Sequence, residues 1–432
     1  MNAPAVRPAD PQLAASRAAT RVLVHHPGSN HLAYELVAGL QEGGFDCSFA
    51  TGFFYAENGA VARLVARLPG ALRDRIEREL RRRHHPGVAA GKVSLHPLPE
   101  LIHVGVNRLG VRGDRLARVV GWRNDVIDAR VAARVRRERP RVVIGHDGSA
   151  LLAARAAREV GACAVLNQVV AHVDAALELF AEEAARSPEF AETISGLPPS
   201  IVARHRRELA EADRILVPSE YVRDSLSARG VSIDRIAVLP YGVDIGRFQP
   251  SSQPPPSARR PLRVLFVGTL SQRKGVKYLL EAARLLGPDK VELVLVGRMI
   301  GAEAAFAPYR GAFRHISHVP YHEVHALYRD ADVFVYPSLH EGSAFVTYEA
   351  LASGLPVVTT LNAGSVVRDG EEGFVVPIRD VDALVERIDL LRRDEAMRQT
   401  MSVKARARAE QFTWAHYRAR LCALIDDWSQ PG

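Results

Sequence analysis

The chain is poor in cysteine. Only Cys47, Cys163 and Cys422 occur, far apart and without a CxxC pair, which excludes a disulfide scaffold and a metal knuckle as organising devices. Lysine is nearly as scarce. Five residues (Lys92, Lys274, Lys277, Lys290 and Lys404) leave arginine to carry the net charge of +8. With abundant alanine beside it, this arginine bias reads as a GC-rich bacterial coding preference, so no nucleic-acid partner is expected from it. Also missing are a run of about 18 apolar residues and, over residues 1–19, an apolar signal core. A cytoplasmic protein is the expectation, with a basic surface suited to anionic substrates or an anionic membrane.

What remains is an ordinary globular balance, 47% hydrophobic and 25% charged over 432 residues, too long for one core and matched to two domains with a cleft between them. Short β-branched runs alternate with longer amphipathic stretches, the mark of βαβ units around a parallel sheet. A first series opens at 21–25 (RVLVH), turns at Pro27-Gly28-Ser29 and enters a helix-like stretch at 31–41. It continues with strand candidates at 141–144, 163–166 and 214–217. Residues 251–261 (SSQPPPSARRP) break both periodicities and read as the linker. A second series follows at Leu262–Val267, Val291–Val296, Val333–Tyr336 and 356–359. At the end, Trp414, Tyr417, Leu421, Leu424, Ile425 and Trp428 recur every three or four residues, giving a final helix whose apolar face must dock on something.

The densest chemical signal is residues 337–358, PSLHEGSAFVTYEALASGLPVV. Glu341 is followed by small residues where a strand meets a helix, and amides at such a helix start favour phosphate. Glu349, about two turns on, is placed to accept both hydroxyls of a ribose. This stretch resembles the E-x7-E region of the family-four, "group 1" retaining glycosyltransferases. The resemblance implies that Glu341 works near the transferred sugar, as a catalytic residue, and that Glu349 binds the ribose. Gly342, Ser343, Ala344 and Phe345 would meet sugar and phosphate with their amides. Residues 266–280, FVGTLSQRKGVKYLL, resemble the family's strand, Gly turn at Gly268 and K-G helix start. Lys274 would touch the donor diphosphate. Thr269 stands where the family has Arg, and Arg273 is the candidate to replace it.

Residues 212–221 and 238–248 also resemble this family, which implies the GT-B plan. Two Rossmann-like domains with parallel sheets would then span 1–245, on the acceptor side, and 246–410, on the donor side. The terminal segment 411–432 would cross back onto the first. Gly28 corresponds to a loop that approaches the donor phosphate. Gln168 stands where relatives carry a histidine, so His172 and His146 are the candidates for that role, with Asp147 a further residue able to line the cleft. Relatives have Gly-Gly and Glu where this chain has Asn362, Gly364 and Ser365, a departure that bears on donor-sugar preference.

No acidic metal motif faces a phosphate loop, so metal-independent transfer without a cofactor is expected, from a nucleotide-sugar (UDP or GDP) to a glycan, lipid-linked or small-molecule acceptor. Rival readings are a nucleotide-sugar epimerase of the same fold and a degenerate, non-catalytic nucleotide-sugar-binding or scaffold protein. A sugar phosphorylase, which needs a cofactor lysine, is disfavoured by the scarcity of lysine and by the E-x7-E context. Residues 61–83 carry eight Arg against Asp74, Glu77 and Glu79, with apolar residues at helical spacing. That pattern suits peripheral contact with an anionic membrane face and equally a packed helix with a solvated basic side.

Overall fold

The structure is a computed structural model that describes residues 11–194, 196–251, 260–301 and 303–430. Residues 1–10 of the amino-terminal stretch, residues 252–259 of the expected linker, and residues 431–432 at the end of the final segment lie outside the described residues.

Two parallel sheets form. The first contains β1 (Arg21–His26), β2 (Asp46–Thr51), β3 (Val93–Leu95), β4 (Val142–His146), β5 (Cys163–Asn167), β6 (Arg214–Val217) and β7 (Ile236–Val238), in the spatial order 3-2-1-4-5-6-7. The second contains β8 (Leu262–Val267), β9 (Val291–Val296), β10 (Phe313–Ile316), β11 (Val333–Tyr336), β12 (Val357–Thr360) and β13 (Gly373–Val376), in the order 10-9-8-11-12-13. Central strands such as β11 are buried along their whole length, as continuous apolar runs covered on both faces must be. β4 begins one residue later than its sequence pattern and runs to His146, which places that histidine inside the sheet's end.

In both sheets the strand order reverses beside the first strand of the series, between β1 and β4 and between β8 and β11. Ligands in such sheets bind at the carboxyl ends of the strands flanking that reversal. The loops so selected follow β1, β4, β8 and β11. They hold Gly28, Asp147, Gly268 to Lys274 and Pro337 to Ala344.

The terminal helix Trp414–Trp428, capped by Thr413 accepting from the His416 amide, buries Tyr417, Leu421, Cys422 and Ile425. It lies on the first-sheet helix His31–Glu42. Gly39 and Gly43 make this approach possible, since a Cβ at Gly43 would overlap the Cys422 sulfur and one at Gly39 would press on Arg418. Arg418 then binds Glu35 at 2.8 Å and Glu42 at 2.6 Å. The chain thus passes between the sheets twice, and the two crossings are bonded together. The Val243 amide donates to the Phe412 carbonyl at 2.9 Å, Val243 pairs with Thr413, and Gly242 sits against the Trp414 backbone.

Candidate active site in the inter-domain cleft

The loop after β8 turns into a single-turn helix, Gln272–Lys274, and carries Arg273 and Lys274 under the loop after β11. There Lys274 Nζ contacts a Glu341 carboxylate oxygen. Arg273 reaches the same oxygen at 3.2 Å and the His340 carbonyl at 3.2 Å, and the Tyr336 hydroxyl donates to it at 3.4 Å. Glu341, Arg273 and Lys274, singled out separately in the sequence, therefore form one cluster. Burial first, and then the Arg273 charge, push the Lys274 ammonium down to about 6. A further anion brought against this amine would favour its charged form over the cost of burial.

Glu349 lies eight residues on but only one turn into its helix, because the helix Phe345–Ala352 starts later than the small-residue run suggests. Its Oε2 accepts from the buried Tyr328 hydroxyl at 2.8 Å, and Oε1 has a long contact with the Tyr321 hydroxyl at 3.4 Å. Burial raises its pKa, against the pull of the two tyrosines and of Arg247, whose guanidinium stacks on Tyr321 at 4.9 Å. These partners were absent from the sequence reading. Tyr328 comes from the helix Val324–Arg329 before β11, Tyr321 from the turn ahead of that helix and Arg247 from the crossover, and nothing local in their neighbourhoods marks them.

Between the two carboxylates, the loop is fastened from both domains. A Cβ on Gly342 would overlap the Val169 carbonyl oxygen, so glycine is what allows the second domain to close onto the first. The Ser219 hydroxyl donates to the Gly342 carbonyl at 2.5 Å. Ser343 Oγ lies 2.7 Å from the Gly364 carbonyl and 2.9 Å from the Tyr348 hydroxyl. Phe345 stacks on Tyr241 at 4.4 Å. Not every amide in this run faces open space. The Ala344 amide, expected to meet phosphate, donates to the Ala363 carbonyl at 3.0 Å, and that of Glu341 to Asn362 at 2.9 Å. Asn362 also donates its side-chain N–H to the Leu339 carbonyl at 2.8 Å, so the loop that departs from the expected Gly-Gly pattern braces the Glu341 segment. Gly268 ends β8, its amide bonded to the Val296 carbonyl at 2.9 Å.

On the first domain, Gly28 lies beside His26, with its carbonyl 2.8 Å from His26 Nδ1. The His26 ring meets the His146 ring edge-on at 4.9 Å. His146 Nδ1 lies 3.0 Å from the His25 carbonyl, so that nitrogen carries the proton and Nε2 is an acceptor. Buried, Nε2 has no partner among the described residues. Burial holds His146 neutral, its pKa well below the ordinary value. His172 is differently employed. It caps the helix Val173–Arg186, Nδ1 accepting from the Asp174 amide at 3.2 Å, while its own amide donates to Ser225 at 3.0 Å. Of the two candidates, His146 is the one whose remaining ring nitrogen is both buried and without a partner among the described residues. Gln168, next to Val169 at the closed seam, donates to the Val170 carbonyl at 2.9 Å, and its Oε1 is buried without a partner among the described residues. Asp147, after β4, is pushed up to about 8 by burial and by Glu208, so it is largely protonated at neutral pH.

A concavity of about 990 Å³ lies at the other end of the first sheet, against Arg141, Cys163, Arg214 and Trp428. It adjoins the amino ends of β4 to β6 and is unrelated to this cluster. Among the described residues no group of His, Cys, Asp and Glu is arranged to hold a metal ion, and no helix is long and apolar enough to cross a membrane.

Residues 27–242 match the family "Glycosyl transferase 4-like domain" and residues 249–408 match "Glycosyl transferases group 1". The putative colanic acid biosynthesis glycosyltransferase WcaL of Salmonella typhimurium is 28% identical over 66% of this chain and 70% of its own. A D-inositol 3-phosphate glycosyltransferase of Corynebacterium diphtheriae is 32% identical over 50% of this chain and 56% of its own, so this alignment spans little more than half of that relative. The crystal structure of Anabaena Alr3699/HepE in complex with UDP and glucose superposes with a TM-score of 0.60 at 15% identity, covering 94% of this chain and 100% of that one. At that identity the likeness establishes the fold, two facing parallel-sheet domains of GT-B type.

Proposed function

Since the chain belongs to the group 1 glycosyltransferases, residues 249–408 matching that family and residues 27–242 its glycosyl transferase 4-like partner domain, we propose that it is a family-four enzyme. It would transfer a hexose, with retention of anomeric configuration, from a nucleotide-sugar to a glycan, lipid-linked or small-molecule acceptor. The observation that carries this reading is the convergence of Lys274 and Arg273 on Glu341 at the strand ends where such sheets bind ligands, with Glu349 eight residues beyond.

The chemistry follows from the charges. As the bond from the sugar C1 to the diphosphate oxygen breaks, negative charge collects on the leaving phosphate, and preorganised cations stabilise it. In the unliganded cluster Glu341 is the anion against Lys274. A donor diphosphate would take over that position and restore full charge to Lys274. It would also release the Glu341 carboxylate toward the sugar, where positive charge develops at C1. Glu349 would take ribose hydroxyls on Oε1, the oxygen not committed to Tyr328. Gly268 and the amides of Gly342, Ser343 and Phe345 would line the sugar and phosphate, with Ala344 contributing only where its bond to Ala363 yields. His146 Nε2 and the Gly28 loop would face the acceptor side, and no metal or cofactor is called for in this scheme. The bound UDP and glucose of HepE are consistent with such a donor.

Peripheral contact with an anionic membrane face is part of the proposal, for an enzyme working in the cytoplasm. The helix Gly70–Arg81 buries none of its residues and leaves Leu72 47% exposed, so its apolar side is not used up by packing. A non-catalytic nucleotide-sugar-binding role is the second reading, favoured by Gln168 and Thr269 in place of the family's residues. Thermal-shift screening with UDP-, GDP- and ADP-sugars, followed by assay of donor hydrolysis, separates the two. Stabilisation with turnover supports transfer; stabilisation without any turnover supports the second reading, and neither result with any donor refutes both.

A further inference from the structure

The segment comprising the helix Val173–Arg186 and the turn Pro188–Thr193 belongs to the first domain by sequence, yet it makes a buried polar contact with the second. At its centre is Glu183, fully buried. Its Oε1 accepts from Gln272 Nε2 at 2.6 Å, the Tyr278 hydroxyl at 2.7 Å and Ser187 at 3.1 Å, and its Oε2 from Arg379 at 2.8 Å. Burial alone would raise the carboxyl's pKa; these donors outweigh it and hold the group below its ordinary value. Ten residues on, Thr193 Oγ1 accepts the backbone N–H of Gln272 at 2.8 Å. Main chain and side chain of one residue are thus both held from the opposite domain. That residue directly precedes Arg273 and Lys274 in the same helical turn.

Apolar contact already joins the two domains here, Phe190 against Phe306 at 5.3 Å. A buried charge is a poor fastener by comparison, because desolvation offsets much of its attraction, and what it adds is directional fixing. Arg379 underlines the point. It adopts φ +67, a left-handed conformation unfavourable for a side chain of its size, and spends its guanidinium on Glu183 and Glu182.

We propose that Glu183, assisted by Thr193, is a positioning residue for the donor diphosphate: by gripping Gln272 it sets the aim of Arg273 and Lys274, so that the phosphate pocket is complete only with the domains closed. The inference rests on the reading of Lys274 as a phosphate contact. The Glu349 end of the site, held by Tyr328 and Tyr321, shares no residue with this grip, so a defect in it falls on the diphosphate and spares the nucleoside.

The test is the preference for nucleoside diphosphate over the matching monophosphate, measured by calorimetry with whichever of UDP, GDP or ADP the wild type binds. Lys274→Ala should lower that preference; Glu183→Gln should lower it about tenfold and Thr193→Val severalfold, with monophosphate affinity unchanged in all three. If Glu183→Gln does not fold, the near-isosteric, uncharged Thr193→Val decides. A preference lost in Lys274→Ala but kept in the other two overturns the proposal, as does an equal loss of mono- and diphosphate affinity, which would make the grip a plain fastener. A preference intact in Lys274→Ala fails the underlying phosphate reading and takes this inference with it.

Discussion

Replacing Glu349 by Gln separates recognition from stability at one buried atom pair. Glu349 is 8% exposed, with Oε2 held by Tyr328 and Oε1, the oxygen assigned above to ribose, in only a long contact with Tyr321. Hydrogen bonds to charged groups contribute about 1.5–3 kcal/mol. The amide keeps the shape and an accepting oxygen but loses the charge-assisted part, about 1–1.5 kcal/mol over a neutral bond, so nucleotide affinity should fall roughly 5- to 13-fold. Stability should move the other way. Burial raises the folded-state pKa above its ordinary 4.5, so the wild-type side chain is at its most favourable below about 4.5 and loses that advantage as pH rises through the raised value. The Gln variant does not titrate. Its melting temperature relative to wild type should therefore improve between about pH 4.5 and 7.5, while calorimetry at pH 7.5 records the loss of nucleotide binding. Unchanged affinity in a folded variant would refute the ribose assignment. A joint loss of affinity and stability at both pH values would show that the carboxylate serves the fold.

If Glu341 works at the reacting sugar as proposed, Glu341→Gln should lower turnover by more than about tenfold while changing donor Kd less than about threefold; equal effects on both, measured by single-turnover kinetics and calorimetry, would count against this. Lys274 loses its proton above about 6 in the free protein, so diphosphate binding near pH 8 should take up a fraction of a proton, seen as a buffer-dependent binding enthalpy and as affinity that weakens with rising pH. Lys274→Ala should abolish the uptake, and none in the wild type would refute the assignment. Leu421→Ala, at a fully buried position of the terminal helix, should cost about 2–5 kcal/mol and reduce amide-exchange protection in the helix His31–Glu42; loss confined to residues 262–410 would contradict the packing described above.

The elements that were legible in the sequence are those whose cause is local. Strands β8, β9 and β11 announce themselves as short apolar runs ended by Gly or Pro, and Glu341 and Glu349 lie within one contiguous motif. The terminal helix was legible too, since an apolar stripe on a last helix needs a partner, although only Gly39 and Gly43 on the facing helix explain how closely it seats. What stayed hidden depends on contacts between distant segments. Tyr321, Tyr328 and Arg247 gather around Glu349 only after folding, and Glu183 meets Gln272 from 89 positions away. His172 belongs with the hidden features: its Nδ1 caps the helix Val173–Arg186, a role the sequence does not mark, because helix starts favour Ser, Thr, Asp and Asn.

The paired crossings near Val243 and Phe412 have a mechanical consequence. A single polypeptide link lets two bodies swing, twist and slide; two links bonded side by side act as a short axle and leave mainly the swing. Opening the cleft to admit a donor would then change the width of the seam while preserving its alignment. On each return Gly342 would meet Val169, and Gln272 would meet Thr193, in the register seen here. A catalytic geometry divided between two bodies can in this way be reassembled every cycle without being searched for anew.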